Sequence, residues 1–116
     1  MNNRQERIRK TMMKEVGDII LKEVRDRRIK GLISVTDIEL ATDYSIAKIY
    51  VSVYGTPEEQ EQSLEALKEH ASQVRYEIGK RVRLRLTPKI EFLKDISLER
   101  GSRVSALIDK ISKGEL

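Results

Sequence analysis

Apolar residues recur at helical spacing through residues 7–24, with polar residues between them. The apolar positions are Ile8, Met12, Val16, Ile19, Ile20 and Val24. This periodicity predicts a first helix with one buried stripe. The pattern runs out in the segment RDRRIKG, where Gly31 is expected to stop the helix.

The next two segments, LISVTDIEL and SIAKIYVSVY, are rich in β-branched residues, which favour strands. In the second segment apolar and polar positions alternate, as they do in a strand with one buried face. Between the segments, Thr42 and Asp43 have the side-chain chemistry of a turn. The two segments are therefore predicted to pair as an antiparallel hairpin.

A second helical region begins with a well-marked cap: Thr56 as N-cap, Pro57 at the first helical position, and Glu59 completing a capping box. An apolar stripe then continues through Leu64, Leu67, Ala71, Val74, Ile78 and Val82. One long helix or two helices joined at a kink would both produce this stripe. The segment HASQ is the first candidate for the break, and Gly79 is the second.

Pro88 forbids further helix and biases the residue before it toward extended geometry, so PKIEFL is predicted to be a third strand with Ile90 and Phe92 facing inward. Ser97 is expected to cap a final helix with a buried stripe. The stripe residues are Val104, Leu107, Ile108 and Ile111. This order predicts an α+β fold in which helices cover one face of a three-stranded sheet, with residues 1–116 as a single domain.

Composition narrows the class of protein. The 116 residues include no cysteine, and no window is apolar enough for a spanning helix or a secretory signal. We therefore expect a cytoplasmic protein. The net charge of +4 is unevenly distributed: residues 1–30 carry +5, residues 31–70 carry −6, and residues 71–116 carry +5. If the fold brings both basic ends to one side, they form a wide cationic surface.

Catalysis has little support in the sequence. His70 is the single histidine, and no nucleophile-elbow, phosphate-loop, zinc or dinucleotide motif occurs. The acidic run from Glu58 to Glu69 is explained by the dipole at a helix N-terminus and by solubility. We expect neither enzymatic activity nor a cofactor or metal, although a metal- or carboxylate-dependent enzyme using His70 and this acidic run remains an alternative.

The segment RYEIGKRVRLRLTPKIEF is the strongest candidate for function. Six cations and one acid lie between residues 75 and 89. In an extended chain, Arg83 and Arg85 would point one way while Leu84 and Leu86 contact the core. Arginine suits phosphate, because its planar guanidinium donates paired hydrogen bonds and is always charged. The leading candidates for nucleic-acid contact are Arg75, Lys80, Arg81, Arg83, Arg85 and Lys89. The secondary candidates, which depend on the first helix lying on the same side, are Arg4, Arg7, Arg9 and Arg28.

Two alternatives remain for these cations. They can pair with the acidic middle of the chain as an ordinary salt-bridged surface. Residues 58–83 can also be read as the two helices of a helix-turn-helix DNA-binding protein, with the second helix in a major groove. Gln73 is the only amide in that second helix, which is a poor supply of side chains for reading base edges.

Three ordered blocks of the sequence resemble the ribosome-binding factor A family. They are VTDIELATDYSIAKIYVSVYG, ASQVRYEIGKRVRLRLTPKIEF and DISLERGSRV. The resemblance implies a type II KH-like fold and an RNA-binding factor, without catalytic activity, that binds the free small ribosomal subunit. It further implies a role in late rRNA maturation near the 5′ end and in cold adaptation. The protein is expected to act as a monomer.

The resemblance also directs attention to the junction between the two middle helices. Ordinary KH domains clamp the nucleic-acid backbone with a G-x-x-G loop, which this chain lacks. The family has an Ala-x-Gly kink at this place, for which the candidate residues here are Ala71, Ser72 and Gln73. The chain matches the alanine at Ala71 but has Gln73 where glycine is usual. A second departure is Arg27, where the family commonly has proline. Glycine would tolerate a positive φ that glutamine does not adopt cheaply.

Overall fold

The computed structural model describes residues 3–96 of the chain. Their helices and strands are α1 (Asn3–Lys22), β1 (Ile33–Leu40), β2 (Ile46–Val53), α2 (Pro57–Glu69), α3 (Ala71–Arg81) and β3 (Lys89–Lys94). This order confirms the predicted α+β arrangement. The helix expected after Ser97 lies outside the described residues.

The strands form one sheet in the order β1-β2-β3. β1 and β2 are antiparallel, with an irregularity between Val35 and Asp37, and β2 and β3 are parallel. The turn between β1 and β2 is held by Asp43, whose carboxylate accepts hydrogen bonds from the backbone N–H and the hydroxyl of Ser45. The hairpin prediction is confirmed, and so is the inward orientation of Ile90 and Phe92 on β3.

All three helices pack on the same face of the sheet, as predicted. α1 contacts β1 and α3, while α2 and α3 contact β3. The buried cluster between helices and sheet is aliphatic apart from one phenylalanine. Its largest fully buried apolar members are Phe92, Met12, Ile19, Ile38, Ile49, Leu67 and Ile78. The polar sides of the helices therefore form the outer surface of this layer.

The end of the first helix differs from the prediction. α1 stops at Lys22, well before Gly31, which lies in the loop that leads to β1. A Cβ at Gly31 would overlap the carbonyl oxygen of Tyr54. The glycine is therefore explained by the close approach of two backbone segments.

The capping box at Thr56 and Glu59 is confirmed by reciprocal hydrogen bonds. The break between α2 and α3 falls at His70, inside the predicted segment HASQ, whereas Gly79 lies within α3 and does not interrupt it. Gln73 sits in the first turn of α3 without a positive φ; among residues 3–96, Tyr44 is the only non-glycine residue with one. The junction therefore needs no glycine at position 73.

The segment between α3 and β3 is irregular, and the expected alternation holds only in part. Arg83 and Arg85 are exposed and Leu84 packs against the core, as predicted. Leu86 was expected to contact the interior, but it is 61% exposed. The chain bends at residues 85–86, so the strict two-residue alternation of a strand is lost there.

Candidate nucleic-acid interface

The segment after α3 presents its cations to solvent. Buried Val82 and Pro88 fix its two ends, and between them Arg83, Arg85 and, at the start of β3, Lys89 are exposed. Within residues 3–96, none of these three forms an ion pair with an acidic side chain. Their charges are therefore available to an external anion.

A cleft brings this segment together with the first turn of α1. Arg4 and Arg85 both line it together with apolar side chains, and its volume is about 570 Å³. The complete lining is Arg4, Ile8, Asp43, Tyr44, Leu84, Arg85 and Leu86. The secondary candidates depend on the first helix lying on the same side as the segment after α3. This holds for Arg4, because the start of the first helix lies beside that segment. Arg7 is exposed on α1, three residues after Arg4 and therefore on the neighbouring turn of the same side. We call Arg4, Arg7, Arg83, Arg85 and Lys89 the basic surface.

Arg81 has a different role from its neighbours. Its guanidinium donates a 2.6 Å hydrogen bond to Asp18 and a 3.3 Å hydrogen bond to Glu15, both on α1. These hydrogen bonds raise the pKa of Arg81, and the bond from Arg81 lowers the pKa of Asp18. The side chain is only 23% exposed. Arg81 therefore joins α3 to α1, and we propose a structural role for it in place of the predicted phosphate contact.

Arg9 and Arg28 are also occupied within the protein. Arg9 forms a 2.7 Å ion pair with Asp37 of β1 and a second pair with Glu6. Arg28 pairs with Asp26, in the loop after α1, and with Glu69, at the end of α2. Hydrogen bonds to these carboxylates raise the pKa of both arginines. We therefore propose structural roles for Arg9 and Arg28 in place of the predicted RNA contacts.

Two leading candidates on α3 are exposed but engaged. Arg75 donates hydrogen bonds of 2.9 and 3.2 Å to the carbonyl oxygen of Thr87, so it holds the basic segment against α3. The Lys80 ammonium is 3.2 Å from Glu77 and 4.8 Å from the centre of the Tyr76 ring. Because both side chains remain exposed, they can supplement the basic surface at its edge.

Gln73, one of the three predicted kink residues, makes contacts within the protein. The side chain of Gln73 reaches the carbonyl oxygen of Glu23 at 2.9 Å and the His70 ring at 2.9 Å. His70 also contacts Asp26, whose pKa is held well below its usual range chiefly by hydrogen bonds from Arg28. Ala71 and Ser72 begin α3 directly after His70. At the place of a backbone-clamping loop, this chain therefore has a network of side chains that joins the α2–α3 junction to the end of α1 and the loop after it.

Two further exposed cations lie outside the candidates predicted from the sequence. Lys10 and Lys14 are exposed on α1, on the same side of the helix as Arg7. The spacing of three and four residues from Arg7 to Lys10 to Lys14 was a signal that would have found them. They extend the basic surface along the outer side of the first helix.

The helix-turn-helix alternative does not fit the junction between α2 and α3. Only His70 separates α2 from α3, whereas a helix-turn-helix joins its helices by a turn of about three or four residues. In the part of the chain from residue 3 to residue 96, no group of three acidic or histidine side chains can hold a metal ion.

Across residues 3–96, no helix combines the length and hydropathy needed to cross a bilayer.

Together these features define an α+β domain with type II KH-like topology and a cationic surface beside its helices. The chain belongs to a particular family of this class, since the family model described as ribosome-binding factor A matches residues 4–108. Curated relatives agree. The ribosome-binding factor A of Caldanaerobacter subterraneus subsp. tengcongensis is 42% identical, over 99% of this chain and 94% of its own. That of Gloeobacter violaceus is 47% identical, over 97% and 89%.

Structures of related proteins show the same fold. The crystal structure of ribosome-binding factor A from Thermus thermophilus has a TM-score of 0.68 and 25% identity, covering 77% of this chain and 92% of that one. A homology model of the Thermus thermophilus factor, fitted into a cryo-EM map of its complex with the 30S subunit, has a TM-score of 0.63 and 25% identity. It covers 76% of this chain and 91% of that one.

Proposed function

We propose that this protein is a non-catalytic assembly factor that binds the free small ribosomal subunit through its rRNA. It assists late maturation of that rRNA near the 5′ end, and its contribution is greatest in the cold. It acts in the cytoplasm as a monomer and uses no cofactor. Family membership supports the proposal, as does the complex with the small subunit in which the related Thermus thermophilus factor has been placed.

The observation that carries the proposal is the basic surface. Arg83, Arg85 and Lys89 have no acidic partner within residues 3–96, and Arg4 lines the same cleft as Arg85. A guanidinium that is paired with the protein's own carboxylate, as that of Arg81 is, adds little to phosphate binding. The exposed cations of the segment after α3 therefore supply affinity for rRNA without any rearrangement of the protein's own ion pairs.

The proposed action requires no chemical step. Low temperature stabilises incorrect RNA helices, and a protein that binds one rRNA conformation more tightly shifts the population toward it. The shift is limited by the difference in affinity between the two conformations. Binding energy alone performs this work.

The test is sedimentation of the purified protein with purified ribosomal particles on sucrose gradients. We expect the wild-type protein to travel with free small subunits, and neither with large subunits nor with complete ribosomes. A variant with Arg83→Gln and Arg85→Gln should stay near the top of the gradient. The matched control is Lys30→Gln with Lys68→Gln, which removes the same charge from exposed positions outside the basic surface.

Two results would contradict the proposal: wild-type protein that remains at the top of the gradient, or protein that travels equally with both subunits. The finer claim about maturation is tested in cells depleted of the protein and grown in the cold. Primer extension should then show small-subunit rRNA with an unprocessed 5′ end. Normal 5′ ends under these conditions would remove that part of the proposal.

A further inference from the structure

The exposure of Leu86 is explained neither by the fold nor by phosphate binding. Leu86 forms one wall of the cleft of about 570 Å³ and is 61% exposed. Ile8, Leu84 and Tyr44 supply the other apolar surface of the cleft. Phosphate gains nothing from these groups, because an anion prefers water to an apolar wall. The cleft therefore suits a ligand with an apolar face as well as a charge.

The charges at the cleft give that ligand a direction. Arg4 and Arg85 attract a phosphate, whereas the Asp43 carboxylate repels it. Hydrogen bonds from Ser45 lower the pKa of Asp43, so its charge persists at neutral pH. A carboxylate can accept hydrogen bonds from the exocyclic amino group of a base. The phosphate end of a ligand therefore belongs beside the arginines, and the base edge belongs beside Asp43.

We propose that this cleft receives the base of one unpaired rRNA nucleotide, with the adjoining phosphate bound by Arg4 and Arg85. The inference rests on the proposed function, which it deepens by naming the form of RNA that is recognised. The base contacts Leu86 and Tyr44, and only an unstacked base can enter. Bases inside a duplex are stacked on their neighbours and present no free face, so duplex RNA binds the basic surface without filling the cleft.

A tryptophan introduced at the cleft reports entry of a base. The chain contains no tryptophan, so Leu86→Trp creates a single indole fluorophore at the wall. The matched control is Leu32→Trp, because Leu32 is similarly exposed, at 69%, and lies away from the cleft. Each variant is titrated with a 12-nucleotide oligoadenylate and with a 12-base-pair RNA duplex. We expect the single strand to quench the indole of the Leu86→Trp variant strongly and the duplex to leave it unquenched, whereas the indole of the control variant should respond to neither.

A loss-of-wall variant tests the same inference without a new aromatic group. Stacking of one base on an aromatic side chain contributes about 5- to 150-fold in affinity, and contact with a leucine is expected at the lower end of this range. Leu86→Gln should therefore weaken binding of the oligoadenylate at least fivefold and leave duplex binding unchanged. The control Leu32→Gln should alter neither affinity. Circular dichroism melting curves establish that both variants fold.

The inference is overturned if bound single strands leave the indole of the Leu86→Trp variant unquenched, or if Leu86→Gln changes single-strand and duplex affinity equally. These failures are distinct from failure of the proposed function. Protein that travels with small subunits while the indole at the cleft stays unquenched refutes the cleft alone. Quenching of this indole in a protein that binds no subunit supports the cleft and refutes the ribosomal assignment.

Discussion

The paired replacement Arg83→Gln and Arg85→Gln gives the sharpest test of how the basic surface works. Both guanidinium groups are exposed, and neither has an acidic partner within residues 3–96. Their removal therefore breaks no ion pair among the described residues, and the fold should be unaffected. Any loss of RNA affinity then reports lost contact with phosphate.

The magnitude follows from counterion release. Each phosphate contact contributes about 0.7 to 0.9 to the slope of log affinity against log salt. If each arginine binds one phosphate, the double variant should have a slope shallower by about 1.4 to 1.8. Between about 50 and 200 mM salt, the wild-type protein should thus lose roughly 7- to 12-fold more affinity than the variant.

The assay is fluorescence anisotropy of labelled protein titrated with free small subunits at several KCl concentrations across this range. Lys30→Gln with Lys68→Gln has the same net charge and should retain the wild-type slope. Parallel lines for the wild-type protein and the arginine variant would refute the reasoning. So would an equally shallow slope in the lysine control, because the effect would then depend on net charge and not on position.

Three further predictions concern stability. Arg81→Gln should lower the melting temperature in circular dichroism and leave the slope of log affinity against log salt unchanged. An unchanged melting temperature together with a shallower slope would instead assign Arg81 to the RNA contacts. Gly17→Ala, in the open interior of α1, should raise the free energy of unfolding by about 0.5 to 1 kcal/mol in urea, whereas Gly31→Ala should lower it, since its Cβ meets backbone. The native pKa of Asp26 is lowered by Arg28, below an unfolded value of about 3.9. The stabilisation that ionised Asp26 gives the folded protein is therefore present above about pH 4 and is lost as the pH falls toward the native pKa. Melting temperatures measured from pH 7 down to 2.5 should accordingly fall less steeply for Asp26→Asn than for the wild-type protein.

Features encoded by neighbouring residues were predictable from the sequence. The capping box of Thr56 and Glu59 joins groups three residues apart, and Asp43 bonds to a residue two positions away. The apolar stripes of the helices and the alternation on β2 depend on simple periods. In each case the physical cause lies within a few residues, so the helices and strands and their order followed from local pattern.

Features that depend on distant partners were not predictable. Arg81 and Arg83 look alike in the sequence, but Arg81 meets Asp18 from a position 63 residues away, and only the packing of α3 on α1 reveals the pair. The close approach of Gly31 to the backbone of Tyr54 is also non-local, so the sequence does not reveal it. From the sequence alone, Gly31 is interpreted as a helix stop. Leu86 was expected inside because two-residue alternation was extended across a bend. Sequence pattern identified the cationic segment, but the fold determines which of its cations are available for binding.

The division between paired and exposed cations bears on how an assembly factor can act at all. Phosphate contacts are nearly independent of sequence, so a purely cationic surface binds correct and incorrect rRNA conformations alike, and equal binding shifts no population. A tenfold preference requires about 1.4 kcal/mol of differential affinity. A cleft that accepts an unstacked base beside Arg85 can supply that difference, because the base is accessible in one conformation and paired in the other. Leu86→Gln should accordingly leave duplex affinity unchanged while removing the preference for single-stranded over duplex RNA. Neutralising the arginines cannot produce this result, because it weakens the binding of both forms.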